Sequence, residues 1–331
     1  MWKLISFIQR HLTYAIPVMM TAGFIFGYFN DAAFLKSFII PLTFMMVYPM
    51  MVNLKFNKIL EGGDTKAQLL TQAINFLILP FGAFTAGIIF FSGQPYMILG
   101  LLLAGLVPTS GMTISWTGFA KGNVEAAVKM TVAGLIIGSI ATPFYVKFLM
   151  GETIAIDIFT VFKQIFLIVF LPMAGGFLTR KFLLKRYGQK KYAQDLGPKF
   201  PAFSTLGVIG IVFVAMALKA ESIGNSPQTI LYILIPVTLI YVVNFFFSTV
   251  IGKLFLKRED AIALVYGTVM RNLSIALAIA INAFGEEGST AALVVAVAYI
   301  VQVQSAAWYV KFTPLIFGDA KFFMGKKINT A

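Results

Sequence analysis

Apolar runs of about 20 residues recur from one end of this chain to the other, and they restrict what it can fold into. Each is long enough to cross a hydrocarbon core of roughly 30 Å. The runs are apolar on all sides rather than along one stripe, so a water-soluble helical core does not account for them. Composition agrees: 59% of the 331 residues are hydrophobic and only 12% charged, against about 25% charged in an ordinary soluble domain. The chain reads as an all-α polytopic membrane protein whose first partner is the lipid bilayer.

Ten transmembrane helices are predicted, at roughly 6–29, 34–54, 68–91, 95–118, 123–149, 157–179, 201–219, 228–252, 260–284 and 289–315. The N-terminal run is too long for a signal-peptide core and no A-x-A-like site follows it, so it reads as a retained first span. With an inside N-terminus, the inside segments hold 20 of the 26 lysines and arginines, including "RKFLLKRYGQKKYAQDLGPK", "GKLFLKRED" and the tail with Lys321, Lys326 and Lys327. The outside loops are short and acidic, with Asp31, Glu152, Asp157, Glu221, Glu286 and Glu287. This asymmetry is the positive-inside rule, and it puts both termini in the cytoplasm; a plasma (inner) membrane is the expected location. It also explains the net charge of +13 without nucleic acid as a partner.

The loop "GETIAID" divides the ten spans into two sets of five, over 1–150 and 157–331. Five is odd, so the second set enters the membrane from the opposite side and equivalent spans are inverted, as in many secondary transporters. The fourth span of each set is interrupted at mid-membrane. Span four carries Pro108, Thr109, Ser110 and Gly111, and span nine carries Gly267 to Asn272. Proline removes a helix donor and glycine tolerates non-helical backbone. Unwound backbone survives in a bilayer only where it is buried in protein or lines a wet cavity, so these breaks mark the candidate site.

Arg271 lies in the span-nine break, about 18 Å along its helix at roughly 1.5 Å per residue. Burying it there costs at least about 2.5 kcal/mol, which requires a partner or a polar cavity. Two readings follow: the guanidinium receives an oxyanion of the solute, or it stands in for a bound cation, against a purely structural arginine tied to the carbonyls that the break frees. The substrate-site candidates are Arg271, Asn272, Thr109, Ser110, Thr113 and Gln304, with Gln302 nearby. Ion-coupling candidates are Asn75, Thr131, Thr268, Ser274 and Lys129. Lys129, about two turns into span five, is expected to reach the cytoplasmic interface and to pair with Glu125, one helical turn away.

Nothing in the chain supports an enzyme or a cofactor. There are no cysteines and one histidine, His11, so no cysteine nucleophile and no thiolate or multi-histidine metal site is available. The phosphate-loop pattern G-x-x-x-x-G-K-[ST] is absent. The 15 methionines, concentrated in "MMVYPMM", read as packing residues rather than metal ligands.

The motifs "FMMVYPMMVNLKF", "NFLILPFG", "LVPTSGMTISWTGFAKGN" and "RNLSIALAIAINAFG" resemble the bile acid/sodium symporter superfamily, and within it the arsenite-permease branch. The resemblance implies a panel domain of spans 1, 2, 6 and 7 and a core domain of spans 3–5 and 8–10. It also implies crossed broken helices four and nine, with the solute between panel and core. It further implies secondary transport by alternating access, coupled to sodium, to protons or to neither, and a small anionic solute is expected. Departures accompany it. Arsenite permeases carry a cysteine where this chain has Thr109 and a glutamate where it has Ser274. Sodium-coupled members carry a carboxylate and a glutamine where it has Gly267 and Arg271. Of their other sodium-ligand positions, Thr113 and Thr131 keep an oxygen, Ile114 and Ala127 do not, and Asn75 replaces a glutamine. Metalloid-oxyanion efflux is the alternative within transport; a non-transporting sensor or a passive channel is the alternative of another class.

Overall fold

In the computed structural model the described residues are 7, 11–54, 64–107, 109–154, 157–225 and 228–318. Pro108 of the expected break, part of "KFNKILEGGDTK", part of "GETIAID" and the basic tail from residue 319 lie outside them. The described chain is helical, with no β-strand: α1 (Leu12–Phe29), α2 (Ile39–Val52), α3 (Thr65–Ala73), α4 (Leu79–Phe90), α5 (Pro95–Leu106), α6 (Gly111–Phe119) and α7 (Val124–Met150). After these come α8 (Ile158–Ile165), α9 (Leu171–Lys191), α10 (Lys199–Leu218), α11 (Ala220–Asn225), α12 (Gln228–Phe255), α13 (Arg258–Val269), α14 (Leu273–Ala283) and α15 (Gly288–Phe317).

Seven continuous helical segments among the described residues are long and apolar enough to cross a membrane. The chain is a multi-pass membrane protein. The three predicted spans missing from that set are the first, fourth and ninth, and for two of them the reason is local. Span four is two helices, α5 and α6, and span nine is two, α13 and α14, each too short to cross alone. Large apolar side chains such as Ile40, Phe148 and Leu315 stand exposed on the outer helix faces, as lipid-facing residues must.

Prolines shape the long helices. α3 and α4 join through a widened turn at Ile74–Ile78, and α8 and α9 through another at Phe166–Phe170. Each turn runs into a proline, Pro80 or Pro172, which lacks an N–H and crowds the carbonyl four residues back. That carbonyl for Pro80 is Phe76 O, and it accepts instead from the Tyr145 hydroxyl at 2.5 Å. Asn75 therefore sits on a turn whose irregularity the sequence itself causes.

α1 packs on α10 through Gly23 and Gly27, where a Cβ would come within 2.4 Å of Phe213 O and 2.1 Å of Ala217 O. This is close small-residue packing between membrane helices. At the centre of the molecule every residue from 261 to 281 is buried. That stretch is the broken span nine, wrapped by α3, α5, α7, α12 and α15.

Candidate functional site

The two breaks lie against each other. α5 stops at Leu106 and α6 starts at Gly111; α13 stops at Val269 and α14 starts at Leu273. Between them the Asn272 amide donates to the Val107 carbonyl at 2.9 Å, so the unwound strands satisfy one another. The polar residues of the breaks then cap the helices that leave them. Ser110 Oγ accepts from Met112 N at 3.2 Å and Thr113 Oγ1 accepts from Ser110 N at 3.3 Å, a reciprocal cap on α6. Asn272 Oδ1 accepts from Ile275 N at 3.3 Å and caps α14. Both capped N-termini open at the crossing, where the helix dipoles favour negative charge.

Thr109 adopts a φ of 56°, a left-handed conformation that a β-branched residue rarely takes. Its hydroxyl donates to the Thr131 and Met130 carbonyls at 3.1 and 3.4 Å. Those bonds tie the first break to span five and turn the side chain into the protein. Thr131 contributes its carbonyl there, while its own hydroxyl bonds back to Ala127 O at 2.7 Å.

Arg271 is 3% exposed. One terminal nitrogen donates to Asn75 Oδ1 at 2.5 Å and to Thr268 O at 3.2 Å, and the other donates to Gly105 O. Its partners thus come from spans three, nine and four, and all are neutral oxygens. Asn75 in turn donates to Gly267 O at 3.1 Å. The Arg271 backbone is clamped by Gln302, whose Oε1 accepts from the amide at 2.8 Å and whose Nε2 donates to the carbonyl at 3.2 Å. The Tyr241 hydroxyl completes the set by donating to the same Gln302 oxygen at 2.9 Å. Beside the guanidinium is a cavity of about 20 Å³ whose polar wall is Tyr241, Asn244 and Arg271.

The structure therefore brings Arg271, Asn75 and Thr268 into direct contact and puts Thr109, Ser110, Thr113 and Asn272 at the crossing itself. Ser274 is further along α14, bonded to the Tyr299 hydroxyl at 2.6 Å. Two expectations change. Gln304 is exposed on α15, whereas Gln302, two residues earlier, faces the crossing; a two-residue step on a helix turns the side chain to the opposite side. Lys129 does not lie at an aqueous interface. It is 4% exposed, and its ammonium is 3.0 Å from Asp64 Oδ1. Asp64 immediately precedes α3, so span five is tied to the start of span three rather than to the lipid headgroup region.

Residues that the sequence reading missed are Asp64, and Tyr241, Asn244 and Ser248 on α12. Asn244 donates to Thr268 O at 3.0 Å, and Ser248 and Thr268 share a hydroxyl contact at 2.7 Å. Their spacing of three and four residues puts them on one face of an otherwise apolar helix, and that stripe is a legible signal.

Comparison with known proteins fits this geometry. Residues 40–226 match the sodium bile acid symporter family. The chain belongs to that family. It is similar to the arsenical-resistance protein Acr3 of Alkaliphilus metalliredigens, 26% identical over 322 residues with 89% of each chain covered. It is also similar to an uncharacterized transporter of Synechocystis, 25% identical with 78% of this chain and 73% of the relative covered. Sodium/bile acid cotransporter 7 of Danio rerio is 20% identical, with 66% and 69% covered. As a member of this symporter family, the protein is a secondary transporter.

Proposed function

We propose that this transporter moves a small anionic solute across a plasma membrane by alternating access, and that Arg271 takes the place of a coupling cation in its core. The observation that carries the reading is the guanidinium's ligand set: three neutral oxygens drawn from three spans. Hard cations are held by such oxygens. A tethered charge among them resists sodium, since like charges about 4 Å apart repel by several kcal/mol in a partly buried site. The anion then faces the two half-helix N-termini at Ser110 and Asn272, on the side of the crossing between panel and core.

The reading adopts ten spans as two inverted sets of five, with both termini cytoplasmic. On that topology Lys36–Glu286 and Asn282–Thr43 (3.2 Å) both join panel to core near the outer surface. An outer side closed in this way leaves the solute path opening toward the cytoplasm, and outward opening must part both contacts.

The test is thermal stability of purified protein against sodium at constant chloride (sodium exchanged for N-methylglucamine), arsenite and a panel of organic anions, for wild type and Arg271→Gln. A ligand that binds the native state raises apparent stability by mass action. An anion is expected to stabilise wild type, and sodium only the variant. Sodium stabilisation of wild type would refute the cation role.

Metalloid-oxyanion efflux is the second reading, because the Acr3 relative is similar over nearly its full length. In that case arsenite, rather than a carboxylate, is the stabilising ligand in the same panel.

A further inference from the structure

We propose that the cavity beside Arg271 binds a small anion inside the core, chloride in a physiological medium. Its volume of about 20 Å³ suits one particle of roughly the size of a water molecule. It is walled by residues of α4, α5, α12 and α15 and by Arg271 of the break between α13 and α14, so it adjoins the crossing on its inner side.

Two donors beside the cavity are spare. The Nε–H of Arg271 is buried and has no partner. Asn244 Nδ2 carries two hydrogens and gives one to Thr268 O. Gln302 Oε1 takes both Tyr241 and the Arg271 amide, and Asn244 Oδ1 takes the Ser248 hydroxyl. Asn244 Oδ1 and the Tyr241 hydroxyl oxygen each keep a lone pair, so the spare donors fit an anion or a water and the charge of Arg271 decides between them. The hydrogen-bond partners of the guanidinium are all neutral, and a buried cation balanced by no anion is strongly disfavoured. A monoatomic anion seated beside the guanidinium neutralises the charge and can take a spare N–H in the same step. This inference rests on the burial and charge of Arg271, and holds whether or not that residue replaces a coupling cation.

The experiment titrates chloride into purified wild-type protein at constant ionic strength, with sodium gluconate as the balancing salt, and reads the melting temperature and tracer-chloride binding. Gluconate is too large for the cavity. Saturable stabilisation by chloride and by bromide, with none from gluconate, is the expected result. Ala298→Leu fills the cavity and leaves Arg271 in place, so it should weaken chloride binding by about tenfold or more. Equal melting in chloride and gluconate, or an unchanged chloride affinity in Ala298→Leu, overturns the proposal and leaves water as the occupant. If Ala298→Leu fails to fold, wild-type crystals grown in bromide decide the matter. An anomalous peak beside the Arg271 guanidinium supports the site, and its absence refutes it. Sodium concentration is constant throughout, so this outcome is independent of whether wild type responds to sodium.

Discussion

Replacing Asp64 with asparagine tests the energetic role of the carboxylate that the structure sets 3.0 Å from Lys129. The pair is 3.0 Å apart, with side chains 5% and 7% exposed, so solvent screening is slight. Asp64→Asn keeps the shape and takes the carboxylate away from the buried ammonium, a loss of about 3–5 kcal/mol for a buried pair. Asp64 makes no side-chain cap on α3, and the bond its Oδ2 accepts from Gln68 Nε2 at 3.2 Å can be kept by the asparagine oxygen. The remaining dipole contribution of a carboxylate at that helix start is about 1 kcal/mol at most, too small to account for a loss of that size. At roughly 2–4 °C per kcal/mol, the melting temperature in detergent should fall by about 6–20 °C. Lys129→Met should fall comparably. The double variant Asp64→Leu/Lys129→Met should recover most of the loss, because apolar replacement of a buried pair is often neutral or better. Gln94, exposed and remote from the pair, is the control, and Gln94→Ala should stay within about 0.5 kcal/mol of wild type. A single variant that melts with wild type, or a double variant no better than either single, refutes the assignment of Asp64 as the partner.

Two further outcomes are expected. Gly267→Ala should lower stability by about 1–3 kcal/mol, because its Cβ would meet Met130 Sδ at 2.8 Å and the stiff Thr71 side chain at 3.0 Å. Gly82→Ala, with open space around it, should be neutral or stabilising by about 0.4–1 kcal/mol; equal melting curves for the two would discredit the packing argument. The outer contact should depend on pH. The hydrogen bond and charge of Lys36 hold the Glu286 carboxyl below its usual range. The contact therefore contributes fully above the ordinary carboxylate pKa and is lost as pH falls through the lowered one. The distance between labels attached beforehand to cysteines at Phe38 and Glu287 should lengthen over that acidic window and be long at all pH values in Lys36→Ala; a flat profile in both proteins would remove the contact from the gating argument.

Much of the fold was legible because bilayer physics leaves few choices. Long apolar runs dictated helices, and glycine and polar residues inside two of them dictated the breaks, which the structure sets against one another. The crossing residues Asn75, Thr109, Ser110, Thr113, Thr268, Arg271 and Asn272 were all visible as polar atoms in apolar surroundings. Their allocation of bonds was not. Thr109 was read as facing a solute, and only its positive φ turns the hydroxyl toward Thr131 and Met130. Local spacing on one helix offers Lys129 only Glu125, one turn away; the contact with Asp64, 65 positions earlier, needs the tertiary fold. Gln304 was chosen over Gln302 because a two-residue error cannot be corrected without knowing which face of α15 meets the crossing.

The proposed role of Arg271 has an energetic consequence for transport. A sodium ion that enters from outside and leaves inside delivers the free energy of its gradient on every cycle. A guanidinium bonded to Asn75, Thr268 and Gly105 moves with the core and returns with it, so it delivers none. What it supplies is pre-organisation, since the crossing is held together by the chain's own charge whether or not an ion is present. The transporter then loses the requirement that a cation bind before the core can move, and with it the means of accumulating solute against a gradient through sodium. Uphill transport would need another coupled species, and the buried Lys129–Asp64 pair is the remaining charged couple in the core among the described residues. Proteoliposomes discriminate these cases once a solute has been found by the stability panel. Equilibration without accumulation under an imposed sodium gradient fits a fixed cation, and accumulation driven by sodium alone is incompatible with it.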